Sequence, residues 1–157
     1  MDQKENKKVS VLYVDDEAGN LQAFKAAFRR LFTVHVAENA AEGMKILDEQ
    51  EVHVVLTDQR MPGITGIEFL QSILEKHPNP IRILVTGYSD IEVVKAAINN
   101  GQVYKYVDKP WDNDRLKMNI ENAYEVYRLR EENKQLTKDL ERVNQQLEFM
   151  LRQKLIS

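Results

Sequence analysis

The sequence predicts an α/β fold, a doubly wound sheet of five parallel strands with helices on both faces and a last helix that runs on as a coiled coil. Three observations carry this. Short apolar runs alternate with amphipathic stretches through the first 125 or so residues, the pattern of βα units whose strands are buried on both sides. Turn-forming residues punctuate that alternation. From about Asp112 onward there is neither Gly nor Pro, and a helical pattern of that length exceeds an ordinary globular helix.

The elements follow in order. The apolar runs Val9–Val14, Thr33–Ala37, His53–Thr57, Ile81–Thr86 and Val103–Val107 have strand length and β-branched content. Amphipathic stretches at about 18–31, 40–50, 65–76 and 89–100 separate them. Asn39 is placed to N-cap the second helix, and Ser89 or Asp90 the fourth. Pro62-Gly63, Pro78-Asn79-Pro80 and Asn100-Gly101 mark the turns. This divides the chain into a polar tail at 1–8, a globular domain at 9–125 and a coiled-coil linker at 126–157.

Composition narrows the function classes. The 157 residues are 43% apolar, enough for one domain with a core and an appendage. Cysteine is absent, which removes disulfides, thiolate metal sites and a thiol nucleophile. The tail Met1 to Lys8 is polar and no run reaches the roughly 18 apolar residues of a membrane span, so a cytoplasmic protein is expected. Residues 128–157 hold seven basic and five acidic side chains, and the rest of the chain fifteen basic and twenty acidic. An acidic globular part argues against nonspecific nucleic-acid binding.

Asp15, Asp16, Asp58, Thr86 and Lys109 all fall at the C-terminal ends of predicted strands. In an open α/β sheet that is where ligands bind. A dinucleotide or flavin site would place a glycine-rich phosphate cradle after the first strand, whereas this chain has Asp15-Asp16-Glu17. Such a loop repels phosphate and attracts a hard cation with oxygen ligands, Mg²⁺ or Mn²⁺. With its charge screened, Asp58 could attack an electrophilic phosphorus while Lys109 neutralises the phosphoryl oxygens and Thr86 donates to a third. His35, His53 and His77 share no spacing that suggests a metal or phosphohistidine role.

Four segments carry a resemblance: Val14-Asp15-Asp16-Glu17, Thr57-Asp58-Gln59-Arg60-Met61-Pro62-Gly63-Ile64-Thr65-Gly66, Thr86-Gly87, and Tyr106-Val107-Asp108-Lys109-Pro110. Together they resemble the receiver domain of two-component response regulators over about residues 8–125. The resemblance, not the pattern, supplies the flavodoxin-like strand order 2-1-3-4-5. It implies that Asp58 is the phosphoacceptor and that Asp15, Asp16, Asp58 and the backbone carbonyl of Arg60 hold Mg²⁺. It implies further that Thr86 and Tyr106 form a switch pair and that a cis peptide follows Lys109. The implied donor is a histidine kinase or phosphotransfer protein. Arg60 and Tyr88 would flank the path of the hydrolytic water. Trp111 is expected to pack the start of the last helix.

The tail reads as a heptad, with Val126, Asn133, Leu140 and Leu147 at a and Leu129, Leu136, Val143 and Met150 at d. A buried Asn at an a position favours a parallel, in-register homodimer. Past Met150 the apolar positions move to Leu151 and Leu155, as in a stutter. An output domain is expected to follow, with phosphorylation altering the coil that leads to it. Three alternatives stand beside this reading. A haloacid-dehalogenase-like phosphatase would want a second acid where Arg60 stands; an adaptor dimer would never be phosphorylated. A DNA-binding zipper would need a basic region.

Overall fold

The computed structural model describes residues 8–87 and 91–156. The strands are β1 Ser10–Val14, β2 Thr33–Ala37, β3 Val54–Asp58, β4 Ile81–Thr86 and β5 Lys105–Asp108, and the helices α1 Ala18–Phe28, α2 Ala40–Glu49, α3 Gly66–Lys76, α4 Ile91–Asn99 and α5 Asn113–Ile156. All pairings are parallel, in the order β2-β1-β3-β4-β5. The expected Ser89 or Asp90 cap and Tyr88 lie outside the described residues.

Every residue of the central strands β1, β3 and β4 is buried, because helices cover both faces of the sheet. Alternation along each strand sends side chains to opposite layers. Tyr13, Leu56, Ile83 and Val85 meet Phe24 and Phe28 of α1 and Leu116, Ile120 and Ala123 of α5. On the other face Leu12, Val55 and Leu84 meet Leu47 of α2, Phe69, Leu70 and Ile73 of α3, and Val94 and Ala97 of α4. The Asn39 cap is present, its side chain accepting from Glu42 N at 2.9 Å. Thr65 caps α3 in the same way, accepting from Glu68 N at 3.1 Å, and its hydroxyl also bonds the Glu68 carboxylate.

The last strand starts at Lys105, two residues later than its apolar run suggests. Val103 is buried, but its N–H and that of Gln102 go back to the Ala97 carbonyl at the end of α4. An amide used that way is lost to the sheet ladder. Arg82 explains the tightness of this corner. Its buried guanidinium donates to the carbonyls of Pro80, Gly101 and Gln102, which ties β4 to the α4–β5 turn.

Helix α5 has 44 residues, a length of about 66 Å at 1.5 Å per residue. Only its first three turns supply fully buried side chains, Leu116, Ile120 and Ala123. The next turns still touch the domain: Tyr124 and Tyr127 lie 5.1 and 4.9 Å from the His53 ring, and Lys134 Nζ donates to Asn79 Oδ1 at 2.6 Å. Val126 is half-buried against the α1/α5 core. Beyond that point the apolar side chains Leu129, Leu136, Leu140, Val143, Leu147 and Met150 are all exposed. Among the described residues no helix is long and apolar enough to cross a membrane.

Candidate functional site

Parallel register gathers the site. Val14 pairs with Thr57, so Asp15 comes beside Asp58; Asp58 pairs with Val85, one residue before Thr86; Thr86 pairs with Asp108, one residue before Lys109. The Lys109 amide then bonds the Thr86 carbonyl at 3.0 Å, and a cis peptide links Lys109 to Pro110. Residues separated by up to 94 positions in sequence thus share one end of the sheet.

Asp15, Asp16 and Asp58 each bring a carboxylate oxygen within 4.8 Å of the others. Asp15 and Asp58 are buried while Asp16 is exposed. Lys109 Nζ lies 3.0 Å from both Asp15 Oδ2 and Asp58 Oδ1. One ammonium bridging two buried carboxylates leaves the cluster with excess negative charge, and its oxygens are the hard donors that a divalent cation takes. The donor set therefore fits Mg²⁺ or Mn²⁺.

The two buried acids differ. Burial pushes the Asp58 carboxyl up, and the hydrogen bond and charge of Lys109 only partly offset this, so its pKa lies above the usual carboxylate value. Burial also acts on Asp15. There the bonds from the Tyr13 hydroxyl, the Glu17 amide and Lys109 outweigh it and hold its pKa below the usual value. Lys109 is raised, since its two carboxylate partners more than compensate the burial of its ammonium.

The loop after β3 is built around Asp58. Gly63 has φ +86°, a left-handed conformation that suits glycine in this turn. Gly66 opens α3 against the strand end, and a Cβ there would collide with the Asp58 carbonyl oxygen and press on Leu84. Gln59 holds the same junction, its backbone carbonyl accepting from Gly66 N and its side chain from Ile67 N at 3.0 Å. The Arg60 side chain is exposed. Thr86 is buried at the end of β4 and its hydroxyl reaches the Gly87 carbonyl at 3.2 Å. Tyr106 is half-buried, packed against the α2–α4 core, and lines an open cavity with Ile98, Trp111, Arg115 and Met118.

Three contacts to Asp15 were not read from the sequence: Tyr13 Oη at 2.6 Å, Asn20 Nδ2 at 3.0 Å and the Glu17 amide at 2.9 Å. The i, i+2 spacing of Tyr13 and Asp15 on one strand face was the available signal. Trp111 packs edge-on to Tyr13 and Phe24, at 5.8 and 6.2 Å, rather than serving the helix start alone. His53 Nδ1 accepts from Ser10 N at 2.9 Å, and His77 pairs with Asp48 at 2.7 Å.

A parallel 2-1-3-4-5 sheet carrying this acidic cluster and lysine at its C-terminal edge defines a phosphoacceptor receiver, and the chain belongs to the response regulator receiver domain family, whose profile matches residues 11–121. Its cluster is positioned like the Mg²⁺ and phospho-aspartate site of response regulators. Among curated relatives, the hydrogenase transcriptional regulatory protein HoxA of Bradyrhizobium diazoefficiens is 37% identical over 123 residues, which is 78% of this chain and 25% of that protein. The HoxA of Cupriavidus necator is 39% identical over 121 residues, 77% of this chain and again 25% of the relative. The chain spans about a quarter of the length of these relatives. A crystal structure described as an adenylate cyclase from Rhodopirellula baltica matches with TM-score 0.81 at 28% identity, covering 83% of this chain and 98% of that one. The signal receiver domain of an HD domain-containing protein from Pseudomonas fluorescens Pf-5 matches with TM-score 0.74 at 30% identity, covering 81% and 94%.

Proposed function

We propose that this chain is a phosphorylation switch in which Asp58 accepts a phosphoryl group from a histidine kinase or phosphotransfer protein, and that α5 carries the signal outward as a parallel dimer. The observation that carries the first part is the bridging of Asp15 and Asp58 by Lys109 at 3.0 Å beside a third carboxylate. Asp58 attacks through a carboxylate oxygen; its new O–P bond forms as the P–N bond of the donor phosphohistidine breaks. Lys109 stays beside the group and balances its charge. Asp15, Asp16, Asp58 and the Arg60 carbonyl would hold Mg²⁺, which when bound screens the negative charge of the acceptor and the incoming phosphoryl group. Thr86 and Tyr106 are the switch pair of this reading, the hydroxyl turning to the phosphoryl oxygens and the ring moving inward behind it.

The dimer reading rests on the exposed stripe of α5 beyond the core. A stripe of Leu129, Leu136, Leu140, Val143, Leu147 and Met150, with Asn133 among them, suits a partner helix of the same kind. Val126, which packs on its own domain, marks where the domain would hand over to the linker of residues 126–157. Glu125, at a g position, forms an ion pair with Arg128 of its own helix at 3.0 Å. In a parallel dimer Glu125 would also face Arg130, at the next e position, of the partner helix, and that interchain pair would compete with the contact to Arg128.

Absolute mass by light scattering, with Mg²⁺ and with or without beryllofluoride, tests both parts when Asp58→Asn serves as control. Acetyl phosphate should add one phosphoryl group to the wild-type chain and none to the variant, read by intact-protein mass. A dimer with and without beryllofluoride assigns the switch to coil geometry, and a monomer that dimerises only with it assigns the switch to assembly. Failure of Asp58 to accept a phosphoryl group would leave an adaptor.

A further inference from the structure

A short hydrogen bond to the acid cluster comes from a residue outside the receiver motif. Tyr13 is fully buried on β1, and strand alternation puts it on the same face as Asp15. Its hydroxyl donates to Asp15 Oδ2 at 2.6 Å. The ring has little freedom, being stacked on Phe24 at 4.8 Å and met edge-on by Trp111 at 5.8 Å. Asn20 Nδ2 and Lys109 Nζ also donate to Oδ2, both at 3.0 Å, whereas among the described residues Oδ1 receives the Glu17 amide at 2.9 Å.

We infer that Tyr13 is a positioning residue for the cation site: it fixes the plane of the Asp15 carboxylate, so that one oxygen is committed to protein donors and the other is left for a divalent metal. The inference rests on the receiver reading above. A carboxylate that rotates freely offers its lone pairs in many directions and loses orientation entropy when a metal binds. A carboxylate clamped by a rigid phenol has already lost it. Groups that orient a metal ligand in this way commonly change metal affinity by about 10- to 100-fold when removed. Tyr13 also joins the two halves of the site. Trp111, which abuts its ring, lies two residues beyond Lys109, so the acid on β1 and the ammonium after β5 are braced by one aromatic cluster.

The test is Tyr13→Phe, which keeps the ring and removes only the donor. Binding is read with Mn²⁺ by the paramagnetic resonance signal of the free ion. The variant is expected to bind about tenfold more weakly than wild type. The Mg²⁺ concentration giving half-maximal phosphorylation by acetyl phosphate should rise by the same factor, and excess metal should recover the plateau rate. A merely structural role would lower the plateau or the stability and leave the metal midpoint in place. Asn20→Ala, at the partly exposed edge, removes a second donor to the same oxygen and is expected to weaken binding in the same direction. It carries the test if Tyr13→Phe does not fold. A change of less than about threefold in folded variants, or tighter binding, would overturn the inference while leaving the receiver reading intact. Absence of Mn²⁺ binding by the wild-type chain would overturn both.

Discussion

Replacing Asp58 by asparagine removes one of three carboxylate charges gathered within 4.8 Å of one another and balanced by one ammonium. At an effective dielectric constant of about 20, unit charges at 4.8 Å, the upper limit of the separations in the cluster, repel by about 3.5 kcal/mol, and a pair 3.0 Å apart attracts by about 5.5 kcal/mol. Asp58→Asn gives up one such attraction, part of which the amide oxygen keeps as a hydrogen bond from Lys109. It relieves two repulsions, of which the one with exposed Asp16 counts for less, and it relieves the desolvation of a buried carboxylate. The balance favours the variant by about 1–2 kcal/mol near neutral pH, or a rise of about 3–6 °C in Tm for a chain of this size.

The pH dependence follows from the raised pKa of Asp58. The folded chain holds that proton more tightly than the unfolded chain, whose carboxyl titrates near 3.8. The charge therefore costs stability as pH rises from the unfolded value through the folded one. Below the unfolded value both states are protonated and the advantage of Asn disappears. Urea unfolding of both proteins without divalent metal, at about pH 7 and about pH 4 and at one protein concentration, reads this directly. A variant less stable than wild type at neutral pH, or one whose advantage does not shrink toward pH 4, would refute the reasoning.

Gly66→Ala drives a Cβ into the Asp58 carbonyl and Leu84; overpacking of this kind costs about 2 kcal/mol and should lower the urea midpoint and slow phosphoryl acceptance together. An unchanged midpoint would show that α3 can slide away from β3 freely. Leu136→Glu with Val143→Glu puts charge on the exposed stripe of α5 and should yield a monomer by light scattering, with acetyl phosphate still modifying Asp58. A dimer that persists in this variant would place the interface outside the α5 stripe.

Much of this protein was legible in its sequence because the signals are local. Five apolar runs, the punctuation between them and the unbroken helical tail follow from side-chain spacing, and Asn39 caps α2 for a reason internal to four residues. Strand-end placement of Asp15, Asp58, Thr86 and Lys109 needed only the boundaries of the runs. The start of β5 did not read correctly, because whether Val103 joins the ladder depends on the Ala97 carbonyl at the end of another element. Val126 sits on the heptad by periodicity, yet whether its methyls face a partner helix or the domain's own core is a matter of how α5 lies on the sheet.

The sequence by itself determined the class of fold, the identity of the acidic and basic groups and the edge of the sheet at which they gather, since each depends on chain-local pattern and strand direction. Tertiary structure decided the rest. Register brought Lys109 to 3.0 Å from both Asp15 and Asp58, and burial then divided two like carboxylates, Asp15 lowered by its donors and Asp58 raised by loss of water. A pattern can name the charges. Their energies depend on which dipoles, counter-charges and water molecules the folded chain leaves beside them, and those come from segments far away in sequence.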